Sequence, residues 1–526
     1  MNTANMGSRL IAGLLMLAGA ALVVWSASTA WMHRASHSEA GTPWAMPAGT
    51  VQTKSSAEVQ AMLAQTGEKY VLEVRGLGVC VGDLFSSEIW EAIQKKADTH
   101  ASYLSQNPAD YPNSADIRLT YTTVTTGLAM KGAARFAVEY WPIPVIVWQP
   151  PKDTLNSFRA AAFISDARQQ ASLGVTLFLW EADANTDDGP AMVKRLFDFF
   201  DTHPDAPAAI VFSIDGSMTR DMMRAPGSGL LPGGQFVPAM PDSMMAMLVT
   251  RTDRVDRLIR PFVVEQTDAV NMDTTQYDVS KLWDFYWEKN DGQGPDGFDA
   301  FYKNQVKDMG YDHPMSPGTM SSNWWQKQLP GFWKTINNKG PGHFTPSPYI
   351  PVRWTTWQVD RFDSALLLGY LHRPVEVKLT GADGHLLKTT AQAAALKTGW
   401  GQALATLPEG EKPQRIFYDT TGDREWVIPL SQALMSNAAG LDLSDVREGY
   451  DIGYRIGNTG VSSQMVQLGL GLIGSYFDGG ASATVSRSPN GIASIMMVSP
   501  PDAATLAAQS VHWKDPFTLL AKGRRN

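Results

Sequence analysis

Apolar positions along this chain fall into three patterns. The first is one uncharged run at residues 10–31, long enough to cross a bilayer core as a helix. The small residues Ser26-Ala27-Ser28 and Ala27-Ser28-Thr29-Ala30 also fit a cleavage site, so removal of this segment is the alternative. The second pattern is short apolar runs alternating with stretches of helical period. It predicts strands at 70–75, 144–148, 175–180, 209–214 and 244–250, with helices at 84–96, 156–172 and 189–201. The third occupies 266–362, where Gly, Pro, Asn and aromatic residues are dense and periodicity is weak. Regular patterning then resumes, with strands at 375–380, 415–418, 483–486 and 494–498 and helices at 391–407, 426–437 and 462–476.

Strands alternating with helices predict an α/β sheet covered on both faces. Both regular stretches begin strand, helix, strand, helix and end on two adjacent strands, the footprint of an internal duplication. The chain thus divides into a membrane anchor (1–32), a Ser/Ala/Gly/Thr/Pro-rich tether (33–66) and a first half (67–265). An aromatic-rich insertion (266–362), a second half (363–500) and a basic-ended tail (501–526) follow.

Composition narrows the role. At 526 residues the chain exceeds one core. Its formal charge of −8 argues against nucleic acid, which needs a basic face. Charged residues are 18% against roughly 25% in an average chain, while 44% are apolar, so the body is folded rather than disordered. The single cysteine, Cys80, excludes intrachain disulfides and every zinc site built on several thiolates. The 23 methionines and 17 tryptophans suit a surface that grips another protein. Trp283, Trp287, Trp324 and Trp325 in the insertion are the candidate contacts. The competing reading is that these aromatics cover the body's own core.

Catalytic motifs are sparse. Gly76, Gly78 and Gly82 follow the first strand, but the third glycine is one residue late for a dinucleotide fingerprint, and no acidic residue ends a second strand. They read as a tight turn. No G-x-S-x-G elbow and no H-E-x-x-H pair exists. His372 and His385, thirteen residues apart, read as surface or capping histidines. Asp187 and Asp188 open a helix, where the dipole favours acidic residues. Glu181, Asp183 and Asp187 could instead assemble a divalent-metal site. No catalytic residue, cofactor or metal ligand is assigned.

Two resemblances follow from local motifs. The opening 70–93, Gly457-Asn458-Thr459-Gly460 and the loop Asp419-Thr420-Thr421-Gly422-Asp423 resemble segments of the thiolase-like fold of β-ketoacyl synthases. That resemblance implies a nucleophilic cysteine at the 181–189 junction and histidines at Asn458 and in the Asp419 loop. None is present, so it implies a body without that chemistry, and Cys80 reads as an inert thiol on another loop. A wider resemblance is to the type VI secretion lipase adaptor family. It is carried by 72–79, 89–94, 197–200, 203–205, Asp215-Gly216-Ser217, Thr219-Arg220-Asp221, 237–243, 369–374, 403–410 and 455–460.

The expectation is an α/β protein: a duplicated thiolase-like body with a long aromatic-rich insertion, preceded by one transmembrane helix. The adaptor resemblance implies a non-catalytic protein that binds a phospholipase effector and delivers it to the type VI secretion spike. The runner-up is an acyl-binding or acyl-transferring enzyme using carboxylates between Glu181 and Asp188. A structural envelope protein is the third reading. The expected location is the bacterial inner membrane, single-pass. Arg9 before the span and His33 and Arg34 after it barely separate the two topologies. Charge leans the body toward the periplasm, whereas the adaptor role places it in the cytoplasm.

Overall fold

Alternating apolar residues from Val71 onward build an 11-residue strand, β1 (Val71–Val81), that continues straight through Gly76 and Gly78. The computed structural model describes residues 71–96, 99–150, 157–171, 173, 176–183, 189–222, 233–266, 277–290, 320–511 and 513–519. The expected membrane span at 10–31 and the tether lie outside the described residues. Among those described, no helix is long and apolar enough to cross a membrane.

The first half runs β1, the short β2 (Leu84–Phe85), α1 (Ser87–Gln94), α2 (Ala115–Ala134), β3 (Pro142–Trp148), α3 (Ser157–Gln170), β4 (Thr176–Asp183) and α4 (Gly189–Thr202). It closes with β5 (Ala208–Asp215), α5 (Ser217–Met222) and β6 (Ser243–Thr250), followed by α6 (Thr252–Leu258). The insertion contributes α7 (Asp278–Asn290), the two-residue β7 (Met320–Ser321), α8 (Ser322–Phe332) and α9 (Thr356–Asp363). The second half is β8 (Gly369–His372), β9 (Val375–Lys378), α10 (Thr389–Leu404), β10 (Pro413–Tyr418), α11 (Val427–Met435), β11 (Gly449–Asp451) and α12 (Ile452–Arg455). Then come α13 (Ser463–Asp478), β12 (Ala481–Arg487), β13 (Ile492–Ser499) and a terminal α14 (Ala503–Ser510).

The strands form one continuous mixed sheet in the order β11-β10-β12-β13-β8-β1-β6-β5-β3-β4-β7. Numbering the five main strands of each half from its own start gives 3-2-4-5-1 in both. In both, the fifth strand runs antiparallel to its neighbours and strands 2, 3 and 4 pair in parallel. The halves join where β1 pairs antiparallel with β8, Val71 opposite His372 and Val74 opposite Gly369. Helices α4 and α13 occupy equivalent places in the two halves; they pack on each other, and each reaches strands of the opposite half. Every residue of α13 from Gln464 to Ser475 is buried, as a helix enclosed on all sides requires. A bidentate pair between buried Asp201 at the end of α4 and Arg373 after β8 (2.8 and 3.0 Å) also ties the halves together.

Three local expectations are corrected. The Gly76–Gly82 segment is strand, not turn, as far as Val81; only Gly82, at φ +62°, turns the chain. Helix α2 carries no periodic signal in the sequence, because its inward face is mostly Thr, Gly and Ala rather than a stripe of large apolar residues. It lies almost backbone-to-backbone on β1. A Cβ at Gly76 would sit 1.9 Å from Ala133 O, and one at Gly78 would sit 2.3 Å from Ala129 O. The glycines therefore serve close packing of a helix on a strand. Strands β8 and β11, four and three residues long, were also missed, being too short for periodicity to show.

Candidate functional site

Three segments singled out by sequence converge at the N-terminus of α13. The Asp419 loop reaches it through a Ser463 hydroxyl that donates to Asp419 Oδ2. The Gly457–Gly460 loop leads directly into it. The start of α4 abuts it: a Cβ on Gly189 would lie 2.9 Å from Gln464 Cβ. Glu181 and Asp183 lie on β4, in register with Ile146 and Trp148. Asp187 and Asp188 lie outside the described residues.

A polar cluster linking the two halves fills this junction. Asp215, at the end of β5, is completely buried. Its Oδ1 accepts from Gly216 N–H (2.7 Å) and Arg220 Nε (2.8 Å); its Oδ2 accepts from Arg220 Nη2 (2.9 Å) and Val461 N–H (2.8 Å). Gly460, at φ +56°, lets the second-half loop approach that carboxylate, since a Cβ there would sit 1.9 Å from Asp215 Oδ2. Beside it the Ser213 hydroxyl donates to Ser462 Oγ (2.9 Å), and Ser243 donates to Thr459 O (3.2 Å).

Asp242 acts as a remote cap for α5. It accepts from Thr219 N–H (2.9 Å), Thr219 Oγ1 (3.0 Å) and Met218 N–H (3.4 Å). Burial raises its pKa to about 6, against the lowering effect of those donors and of the Thr122 hydroxyl.

The arrangement favours holding over reacting. Asp215 has its oxygens committed to a guanidinium and two backbone N–H groups, which leaves neither of them free to take a proton from a substrate. Asn458, at the implied histidine position, turns its Oδ1 onto Gly460 N–H (3.0 Å) of its own loop. Cys80 is fully buried on β1, its Sγ 3.2 Å from Thr125 O, and burial pushes its thiol well up. His372 is a core histidine rather than a surface one, held between Thr406 O (2.9 Å) and Ser499 Oγ (2.8 Å). His385 is exposed in the turn beyond β9. Among the described residues, no group of three His, Cys, Asp or Glu side chains could hold a metal ion.

The insertion's tryptophans divide. Trp325 is completely buried, its indole N–H donating to Pro348 O (3.1 Å) and its ring against Phe285 and Tyr286. It belongs to the main core with Phe332 and Trp354, which corrects the partner-contact expectation for this residue. Trp283 is half-buried and edge-on to Tyr140, ring centres 4.6 Å apart. The side chains of Trp287 and Trp324 lie outside the described residues.

Asp215-Gly216-Ser217, Arg220 and 237–243 lie in the segments that carry the adaptor resemblance, which implies no role for them. The cluster shows that they clamp one half to the other.

The strand order, repeated in both halves around two central helices, defines a duplicated thiolase-like α/β body. Solved structures similar to the chain include a ketosynthase from module 6 of the bacillaene synthase of Bacillus subtilis 168. It shows 8% identity and TM-score 0.40, over 82% of this chain and 71% of that one. The ishigamide ketosynthase/chain length factor shows 8% identity and TM-score 0.41 over 82% and 99%. A type III pentaketide synthase from Neurospora crassa shows 12% and 0.36 over 82% and 99%. Likeness of this size says nothing about chemistry, and the fold class rests on the repeated strand order. Two family models match in sequence: "Type VI lipase adapter protein Tla3, N-terminal" at residues 70–233 and its C-terminal counterpart at 368–500. Together they take in more than half of the chain. The chain belongs to the Tla3 family of type VI lipase adapter proteins.

Proposed function

We propose that this protein is a non-catalytic adapter that binds a phospholipase effector of the type VI secretion machinery and delivers it to the secretion spike. The observation that carries this reading is the ordered match of the N- and C-terminal family models, one in each half. The committed polar groups at the junction of the halves support it, because acyl transfer needs a nucleophile, a base and an oxyanion partner free to act. The client contact is proposed on the insertion at Trp283, Trp287 and Trp324, with Trp325 serving the core. Attachment to the bacterial inner membrane through residues 10–31 is part of the same proposal, with the body cytoplasmic when it loads its client.

The test is a pull-down of residues 33–526 from source cells, with mass spectrometry of what is retained. A lipase-like effector or a spike protein near equal stoichiometry is expected. Retention of envelope proteins alone would overturn the reading. Trp283→Ala is expected to weaken client binding at least tenfold while leaving thermal unfolding within a few degrees. Unchanged affinity would remove Trp283 from the interface.

A further inference from the structure

The segment after β13 runs over the body from buried Pro501 and next meets the interior at Pro516 and Phe517, of which Phe517 joins the main hydrophobic core. Helix α14 has no buried residue of its own. One end is fixed by Gln509, whose side-chain amide accepts from Leu367 N–H (2.7 Å) and donates to Leu367 O (2.9 Å). Beyond it, Trp513-Lys514-Asp515-Pro516-Phe517 lies in a groove made by the start of α1, the end of α2 and the end of α13.

Phe517 is completely buried there, edge-on to Tyr476 (5.4 Å) and Phe477 (5.5 Å). Asp515 accepts from the Ser87 hydroxyl (2.7 Å) and from Phe517 N–H (2.9 Å). Arg135 donates to Thr518 O (3.0 Å) and lies over the Trp513 ring, which meets Phe136 edge-on at 5.7 Å. This is the pattern of a bound linear peptide: one aromatic anchor, an acidic residue two positions earlier, and a cation for the backbone. The family's C-terminal match ends at residue 500, before the segment begins.

We infer that residues 513–519 are a detachable strap occupying a peptide-recognition groove, which a partner segment carrying the same acidic-x-aromatic chemistry takes in its place. The helix leading to the strap has no buried residue, so Pro516, Phe517, the Trp513 ring and a few polar bonds hold the strap down. Release leaves Tyr476, Phe477 and Phe136 as an apolar floor, with Ser87 and Arg135 at the rim to select an acidic side chain. In cis the strap acts at an effective concentration on the order of millimolar. A partner therefore competes only when locally concentrated or when its anchor is better.

The experiment uses the full chain, as wild type and as Phe517→Ala, with a fluorescent peptide of residues 511–519. The peptide is expected to bind the variant at least tenfold more tightly than wild type, where the strap blocks the groove. A peptide lacking its phenylalanine should not bind either protein, and Asp515→Asn in the peptide should weaken binding severalfold. No binding to a variant whose circular dichroism matches wild type would overturn the inference. Hydrogen exchange on the wild type gives a test that does not depend on the variant folding. Amides of 513–519 should exchange well before those of α13. Exchange of both only through global unfolding would overturn it.

Discussion

Asp215 carries more of the contact between halves than any other side chain in the polar cluster, because it meets an arginine of its own half and a backbone N–H of the other. Asp215→Ala leaves the Val461 N–H buried without its acceptor and removes the carboxylate to which the Arg220 guanidinium donates twice. The expected loss is about 2–3 kcal/mol, below the range for a fully buried pair because Arg220 is partly exposed; urea unfolding measures it. Asp242 acts in the opposite sense. Its folded pKa of about 6 lies above its unfolded value. It therefore contributes stability that is full below about pH 4 and is lost as pH rises through 6. Asp242→Asn should remove that dependence. The gap in unfolding free energy between variant and wild type should widen from pH 4.5 to 7.5 by about 1–3 kcal/mol in favour of the variant. A constant gap would show that Asp242 does not titrate in this window. Neither role was legible in the sequence, where both residues are one acid among 52 Asp and Glu.

At the scale of elements, β1 and α2 show how a missed helix and a misread glycine motif are one fact. A helix that presents Ala129, Ala133 and Gly132 to a strand has no apolar stripe to detect. The strand that receives it needs Gly76 and Gly78, which resembled a turn. Gly78→Ala should force the two backbones apart and destabilise the body by about 3 kcal/mol or more, measured as a lowered urea midpoint. A loss under about 0.5 kcal/mol would mean that α2 can shift without penalty. Most other elements were legible, because β3, β5, β6 and β13 are largely apolar runs typical of strands covered on both faces.

For the whole molecule, the halves are not independent domains. The first-half core takes in Met465, Leu468, Leu472 and Ile473 of α13, and Val498 of β13, all from the second half. Unfolding should therefore be one transition, with tryptophan fluorescence and circular dichroism giving coincident urea curves. Two separated transitions would show that the sheet joint between β1 and β8 is weak. The sequence by itself determined the alternation of strands and helices, the repeat of that alternation in two stretches and the family, since each is written in residues close together along the chain. It did not determine which tryptophans are core, which acids join the halves, or where the tail docks. Those depend on pairs such as Asp215 with Val461, Trp325 with Pro348 and Phe517 with Tyr476. Their burial and partners exist only once the central helices have brought distant segments together, so only the tertiary structure decided them.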